Sequence, residues 1–252
     1  MKKILSLLFI FTICFILVGC DDNGPIPYNY NSSDAYNKIE ELGSDQGFLI
    51  ELSYFVDGPD MKRAYYDDDD WDDYDDWDDY DDYDDYDEDD FNMTLTYGVK
   101  GDITYIAMNN VEIYINYSDS SRIMVYYGMF DERTGAYTWK KEDVSSSSST
   151  IDYYSELSSI YTYLVPADTI NNAVVKAKRS DVVCGRLCDK LTLIDSRDDF
   201  ENPESPVDLY IDKELGICLK MGMTETEKGV TYTSGIECTR FEINPGIVLP
   251  NV

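Results

Sequence analysis

The sequence predicts an α+β fold: one antiparallel sheet of about ten strands, accompanied by two or so helices. Three observations carry this. First, apolar residues alternate strictly at Phe48, Ile50, Leu52, Tyr54 and Val56, at Phe91, Met93, Leu95, Tyr97 and Val99, and at Val111, Ile113, Ile115 and Tyr117. Successive strand side chains point to opposite faces, so each stretch lays an apolar row on one side of a sheet. Second, only two stretches keep a helical period, residues 35–42 and 151–164. Third, the C-terminal third is cut by turn sequences into short consecutive strands, the pattern of a meander.

The N-terminus comes first. Lys2-Lys3 precede an apolar run from Ile4 to Val18, and Leu17-Val18-Gly19-Cys20 closes it. A basic start, an apolar stretch and a small-residue cut site are the order of a secretory signal. The run of 15 residues is short of the ~20 a spanning helix needs. The stretch resembles a bacterial lipoprotein signal peptide with its lipobox. That resemblance implies removal of residues 1–19 and attachment of a thioether-linked, palmitate-type acyl lipid at Cys20. The chain would then be anchored by lipid to the plasma membrane, facing the extracytoplasmic side. Residues 20–33 hold Asn, Pro, Gly, Ser and Tyr without apolar period and read as a flexible tether.

The domain is expected over residues 34–252. Ala35, Tyr36, Ile39 and Leu42 form one helix face, with Ser33 or Asp34 as cap and Gly43 as stop. Strands are expected at 48–56, 91–99 and 111–117. Ile123–Phe130 is apolar on both faces and is expected to be a central strand. Asp131–Gly135 is a turn before a short strand at Tyr137–Lys140. Residues 142–150, with the run Ser145–Ser149, read as a serine-rich connector. Ile151, Tyr154, Leu157, Ile160, Tyr161 and Leu164 then predict a helix that Pro166 stops. The last strands are expected at 173–178, 187–194, 207–212, 216–222 and 230–243. Asp212–Gly216 and Thr226–Gly229 are their hairpin turns.

Residues 60–90 interrupt this pattern. Asp67–Asp90 contains 17 Asp, Glu88 and six aromatics (Trp71, Tyr74, Trp77, Tyr80, Tyr83, Tyr86), and carries −18 over 24 residues. Aromatics at every third position suit polyproline II, which has three residues per turn, and dense like charge favours extension. The stretch reads as a projecting acidic insertion. A solvated disordered loop, weak Ca²⁺ binding by carboxylates, and docking of a basic partner all agree with it.

Composition bounds the function. The formal charge of −31 becomes −33 once Lys2 and Lys3 leave with the leader, which disfavours nucleic acid as a partner. Histidine is absent, removing the commonest general base and the usual catalytic zinc ligands. No nucleophile elbow, phosphate loop or metal-ligand motif appears, so no catalytic residue, metal or cofactor is assigned and an enzyme is not expected. Four cysteines remain after Cys14 and Cys20: Cys184, Cys188, Cys218 and Cys238. Outside the cytoplasm an even set reads as disulfides. Paired positions in a hairpin share a constant sum. Cys218 and Cys238 sum to 456, with a midpoint at Lys228 in the turn. That predicts Cys218–Cys238 on the polar sides of their strands, leaving Cys184–Cys188 across Gly185.

The order of elements, with Gly185-Arg186-Leu187-Cys188-Asp189-Lys190-Leu191, Val207–Met221 and the tail Phe241–Pro250, resembles the LolA-like and LppX-like lipoproteins. The resemblance spans residues 34–252 without the acidic insertion. It implies a curved antiparallel sheet, a half-barrel left unclosed, with helices covering the concave face. Several relatives carry lipids or lipoproteins on that face. Two functions are therefore expected. One is a non-catalytic lipoprotein holding an apolar lipid or acyl ligand. The other is a cell-surface interaction module whose acidic insertion meets Ca²⁺ or a basic partner.

Overall fold

The structure is a computed structural model that describes residues 24–57, 94–119, 121–145, 160–196, 205–227 and 229–252. The signal peptide, Cys20, the acidic insertion and most of the serine run and the 151–165 helix lie outside the described residues.

Helix α1 (Ser32–Asp45) is followed by β1 (Phe48–Asp57), β2 (Thr94–Lys100), β3 (Ile103–Met108), β4 (Val111–Asp119), β5 (Arg122–Asp131) and β6 (Ala136–Asp143). Two short helices come next, α2 (Ile160–Leu164) and α3 (Ala167–Asn171). The chain then runs through β7 (Ala173–Val183), β8 (Arg186–Asp195), β9 (Val207–Asp212), β10 (Cys218–Glu227) and β11 (Val230–Ile243). All pair antiparallel in one eleven-stranded sheet, ordered β6-β5-β4-β3-β2-β1-β11-β10-β9-β8-β7. Two meanders are thus joined by one long-range pair, β1 with β11. Among the described residues β6 and β7 do not pair with each other, so the sheet is open. It nevertheless curls: β7 touches β11 although three strands lie between them.

The inner face is the one that Phe48, Ile50 and Leu52 share. The register carries it through Val99, Tyr97 and Leu95 to Ile106, then to Ile113, Ile115 and Val125. These residues form one core with Ile39 and Leu42 of α1 and Ile160 and Leu164 of α2. A second cluster, Val175, Leu191, Leu193, Leu209, Ile211 and Cys218, lies under Ile170 of α3. Tyr163 packs against both clusters and joins them.

Several sequence expectations change here. Helix α1 is capped by the Asn31 side chain, which accepts the Asp34 N–H at 3.1 Å, in place of Ser33 or Asp34. It runs past Gly43 and stops at Gly47, whose positive φ of 81° lets its N–H reach the Leu42 carbonyl at 2.8 Å. Gly43 serves packing: a Cβ there would lie 3.0 Å from Val99 Cγ1, so its lack lets the helix sit close on β2. Half of the expected tether is docked. Ile26, Tyr28 and Tyr30 pack on the second cluster, Ile26 N–H donates to the Val175 carbonyl at 2.8 Å, and the Tyr30 hydroxyl donates to the Gly216 carbonyl at 3.0 Å. The serine connector starts later, because Val144 is buried and the Ser145 hydroxyl accepts the Ile123 N–H at 2.7 Å.

The central strand is β1, not Ile123–Phe130. Leu49, on its outer side, is buried where Ile247 of the C-terminal tail lies over Gly98. Strand β5 is next to the edge. Its outward residues are covered by neighbours on the same sheet surface: Tyr105, Tyr114, Trp139, Tyr137 and Phe130 make successive ring contacts at 4.8, 5.7, 5.5 and 5.2 Å. Trp139 lies flat against Gly128, where a Cβ would leave no room. Cross-strand aromatics thus supply the cover that burial in a second layer would have supplied. Strand β3, between Gly101 and Asn109, has no counterpart among the expected strands.

Candidate functional site

Among the described residues, the helices stop short of one end of the inner face. Helix α1 lies near the start of β1 and the end of β2, against Val99 and Phe48. Helix α2 crosses β10 and β11, where the Tyr163 hydroxyl donates to the Ile236 carbonyl at 3.2 Å. Beyond these, at the opposite end of the strands, inward positions stay open. Tyr54 pairs with Ile236, and Val56 with Ser234, which pairs with Met223. Met108 pairs with Val111, and Val111 with Met129. Tyr54, Val56, Met108, Met129, Met223 and Ile236 are all exposed, from 37% to 55%. They continue the apolar rows that hold the buried Phe48, Ile50, Leu52, Ile106, Ile113 and Val125. An open depression of about 580 Å³ lies at this end, with Tyr127, Met129, Phe130, Thr138 and Lys140 among its walls. The unbranched Met129 gives it one adaptable wall, and Asn110, Asp131, Glu132 and Arg133 also line it.

The four cysteines meet deeper in. All are free thiols; Cys188, Cys218 and Cys238 are buried and Cys184 is half-buried. Cys184, Cys188 and Cys238 belong to the main core and Cys218 to the second cluster. The expected pairing of Cys218 with Cys238 is not what the structure brings together. Strands β10 and β11 pair with a sum of 457, with Glu227 and Val230 facing each other and Gly229, at φ 82°, just before Val230. That ladder ends at Lys220 and Glu237, and register shifts between Cys218 and Lys220 and between Cys238 and Arg240 break the constant sum beyond it; both cysteines are in the core rather than on polar sides. Cys184, at φ 53°, occupies the β7–β8 turn with Gly185, while Cys188 pairs with Asp181, two ladder steps down. The Cys238 thiol donates to the Arg240 carbonyl at 3.3 Å, and burial, then the neighbouring Cys184 and Cys188, push its pKa up. Among the described residues no three Cys, Asp or Glu side chains are grouped as a metal ion requires.

Burial pushes the Cys188 thiol up to about 11 and the Cys218 thiol up to about 12. Burial also raises Tyr97, next to Tyr161, and Tyr163, next to Cys218 and Cys238. These groups are neutral in the fold. In the unfolded chain the thiols ionise near pH 8.5. Their contribution is thus complete below that pH and lost as pH rises through the folded values. For the reduced protein we expect a urea midpoint that holds from pH 6 to 8 and falls by pH 11. At pH 8 iodoacetamide is expected to label Cys184 first. Equal labelling of all four thiols in the native protein would contradict this packing.

The buried Asp212 is the other polar feature at this hairpin. Its carboxylate accepts Arg186 Nε at 2.6 Å and Nη2 at 3.1 Å. Its Oδ1 also accepts the Glu214 N–H at 3.0 Å and the Leu215 N–H at 2.7 Å. Every one of its partners belongs to the fold, so it is a structural group.

No protein-family profile and no curated protein matches the sequence. Among solved structures, MucB is 11% identical with a TM-score of 0.34 over 86% of this chain and 60% of that one. The MucA/MucB complex of Pseudomonas aeruginosa gives 12%, 0.32, 86% and 58%. The LolA superfamily protein NE2245 of Nitrosomonas europaea gives 9% identity and a TM-score of 0.19 over 88% of this chain and 96% of that one. This chain spans less than two thirds of the MucB length. Identities and TM-scores this low leave the function to be read from this chain's own residues.

Proposed function

We propose that this protein is a lipid-anchored extracytoplasmic binding protein that holds an apolar, acyl-type ligand on the uncovered end of its inner face and does no chemistry on it. One observation carries the reading. The apolar rows run unbroken from the fully buried Phe48 and Ile50 to the exposed Tyr54, Val56 and Ile236, past the point where the described helices end. Contiguous exposed apolar surface with one open side favours an apolar guest. Anchoring through Cys20 would keep the domain beside a membrane, where acyl chains are found. The lack of histidine supports holding over converting.

The test has two parts. Cys20→Ala is expected to leave an unprocessed precursor without lipid and to shift the protein out of the detergent phase. A fluorescent fatty acid is expected to bind the soluble domain at micromolar concentration. Ile236→Asp with Met129→Glu is expected to weaken that binding at least tenfold with little loss of stability, since both positions are exposed. No uptake, and no lipid released on solvent extraction after gentle purification, would refute the carrier. The acidic insertion would then be the better guide, with Ca²⁺ or a basic protein as the partner.

A further inference from the structure

We infer that Cys184 and Cys238 form a disulfide that staples the tip of the β7–β8 hairpin to β11, while Cys188 and Cys218 remain buried thiols. Cys184 sits in the turn between Val183 and Arg186, and Cys238 sits on β11 opposite Leu52. Along the sheet these strands are three and four places apart, yet β7 touches β11. The curl therefore folds the hairpin tip back toward β11. Both cysteines join the same core cluster, Cys238 buried within it and Cys184 packed against it, and Cys184 is an electrostatic neighbour of the Cys238 thiol. Arg186, next to the turn, keeps the tip in place: its guanidinium lies 4.9 Å over the ring of Phe241 and is bound to Asp212.

The other pairings fit less well. Cys188 on β8 and Cys218 on β10 are separated by β9. Strands two apart in a sheet lie about 9.5 Å from each other, beyond the roughly 7 Å Cα separation that a disulfide spans. Cys218 and Cys238 lie beyond the last pair of the β10–β11 ladder, Lys220 with Glu237, and belong to different core clusters. Cys188 lies down the strand from the turn and points into the core, fully buried.

The chemistry is thiol–disulfide exchange with a small-molecule or protein disulfide as oxidant. Cys184, the half-exposed thiol, loses its proton and attacks the oxidant, forming a mixed disulfide and releasing one thiolate. The Cys238 thiolate then displaces the second, closing the Cys184–Cys238 bond. Two cysteine thiols lose two electrons and two protons, and the oxidant becomes two thiols. Formation in the cell rests on the extracytoplasmic location proposed above; formation in the test tube does not.

The test is peptide mapping of the purified full chain without reductant after exposure to oxidised glutathione. A cross-linked pair of peptides carrying Cys184 and Cys238 is expected, with Cys188 and Cys218 alkylated only after denaturation. A Cys184–Cys188 or Cys218–Cys238 link, or four thiols still free, would overturn the inference. Reductant is expected to lower the melting temperature of the oxidised chain by about 10 °C, a loss absent from Cys184→Ser. A second arm traps thiols in intact cells with acid. Free Cys184 and Cys238 there, in a chain that cross-links once purified, would count against the location and leave the pairing standing.

Discussion

Asp212→Ala is expected to destabilise the fold by about 3–5 kcal/mol, the loss typical when one member of a buried ion pair is removed. Asp212 is 2% exposed and Arg186 is largely covered, its side chain 17% exposed. The carboxylate holds the guanidinium through two hydrogen bonds and at the same time closes the β9–β10 turn by accepting two backbone N–H groups. Alanine leaves Arg186 charged and short of its main partner, and orphans the Glu214 and Leu215 amides. Gly216, at φ 75°, completes that turn, so its geometry depends on the same residue. Asp212→Asn keeps an oxygen for the turn amides and loses the charge, and is expected to cost less, about 1–3 kcal/mol. Urea denaturation would measure both, read as a lowered midpoint at constant slope. A cost under about 1 kcal/mol for the alanine variant would mean that water replaces the carboxylate and that the pair contributes little.

Phe48→Ala is expected to cost about 3–5 kcal/mol, the range for truncating a fully buried aromatic residue. Phe48 has no exposed surface. Its ring stacks on Phe241 at 6.3 Å and leans on Tyr97 at 6.1 Å, and Gly43 of α1 lies over it. It therefore ties β1 to β2, to β11 and to the helix. Among the described residues the β1–β11 pairing is the only ladder that joins the two meanders, so a cavity there weakens the contact on which the single sheet depends. Tyr54→Ala, six residues along the same strand face, is the control. Tyr54 is exposed, and its loss is expected to stay within about 1 kcal/mol. Equal effects of the two substitutions would show that the inner face is not graded from covered to open, which would also remove the basis of the proposed ligand site.

The strands at 48–56, 111–117 and 207–212 were legible because alternation is local: a two-residue period needs no knowledge of partners. The Asp212–Gly216 turn was legible for the same reason. Boundaries set by chain neighbours were harder to read. Gly43 looked like a helix stop, but the Leu42 carbonyl is reached from Gly47, and Gly43 turned out to be a packing contact with Val99. Strand β3 was missed because Ile103, Tyr105 and Ala107 put apolar residues on the outer face, where Tyr105 meets Tyr114. The expected thiol pairing assumed an unbroken hairpin ladder, which ends at Lys220 and Glu237 and is followed by register shifts that no local pattern announces.

By itself the sequence determined the class of fold: strand periodicity, helical periodicity and turn chemistry are all interactions within a few residues. It also determined that the chain is strongly acidic and without histidine. Only the tertiary structure decided which strand is central, which helices cover which rows, and which cysteines meet. Leu49 is buried by Ile247 from the far end of the chain, and Cys184 joins the cluster of Cys238 because an open sheet curls β7 toward β11. Such contacts join residues separated by tens to hundreds of positions. Their energy comes from burying surface against partners that no local period encodes.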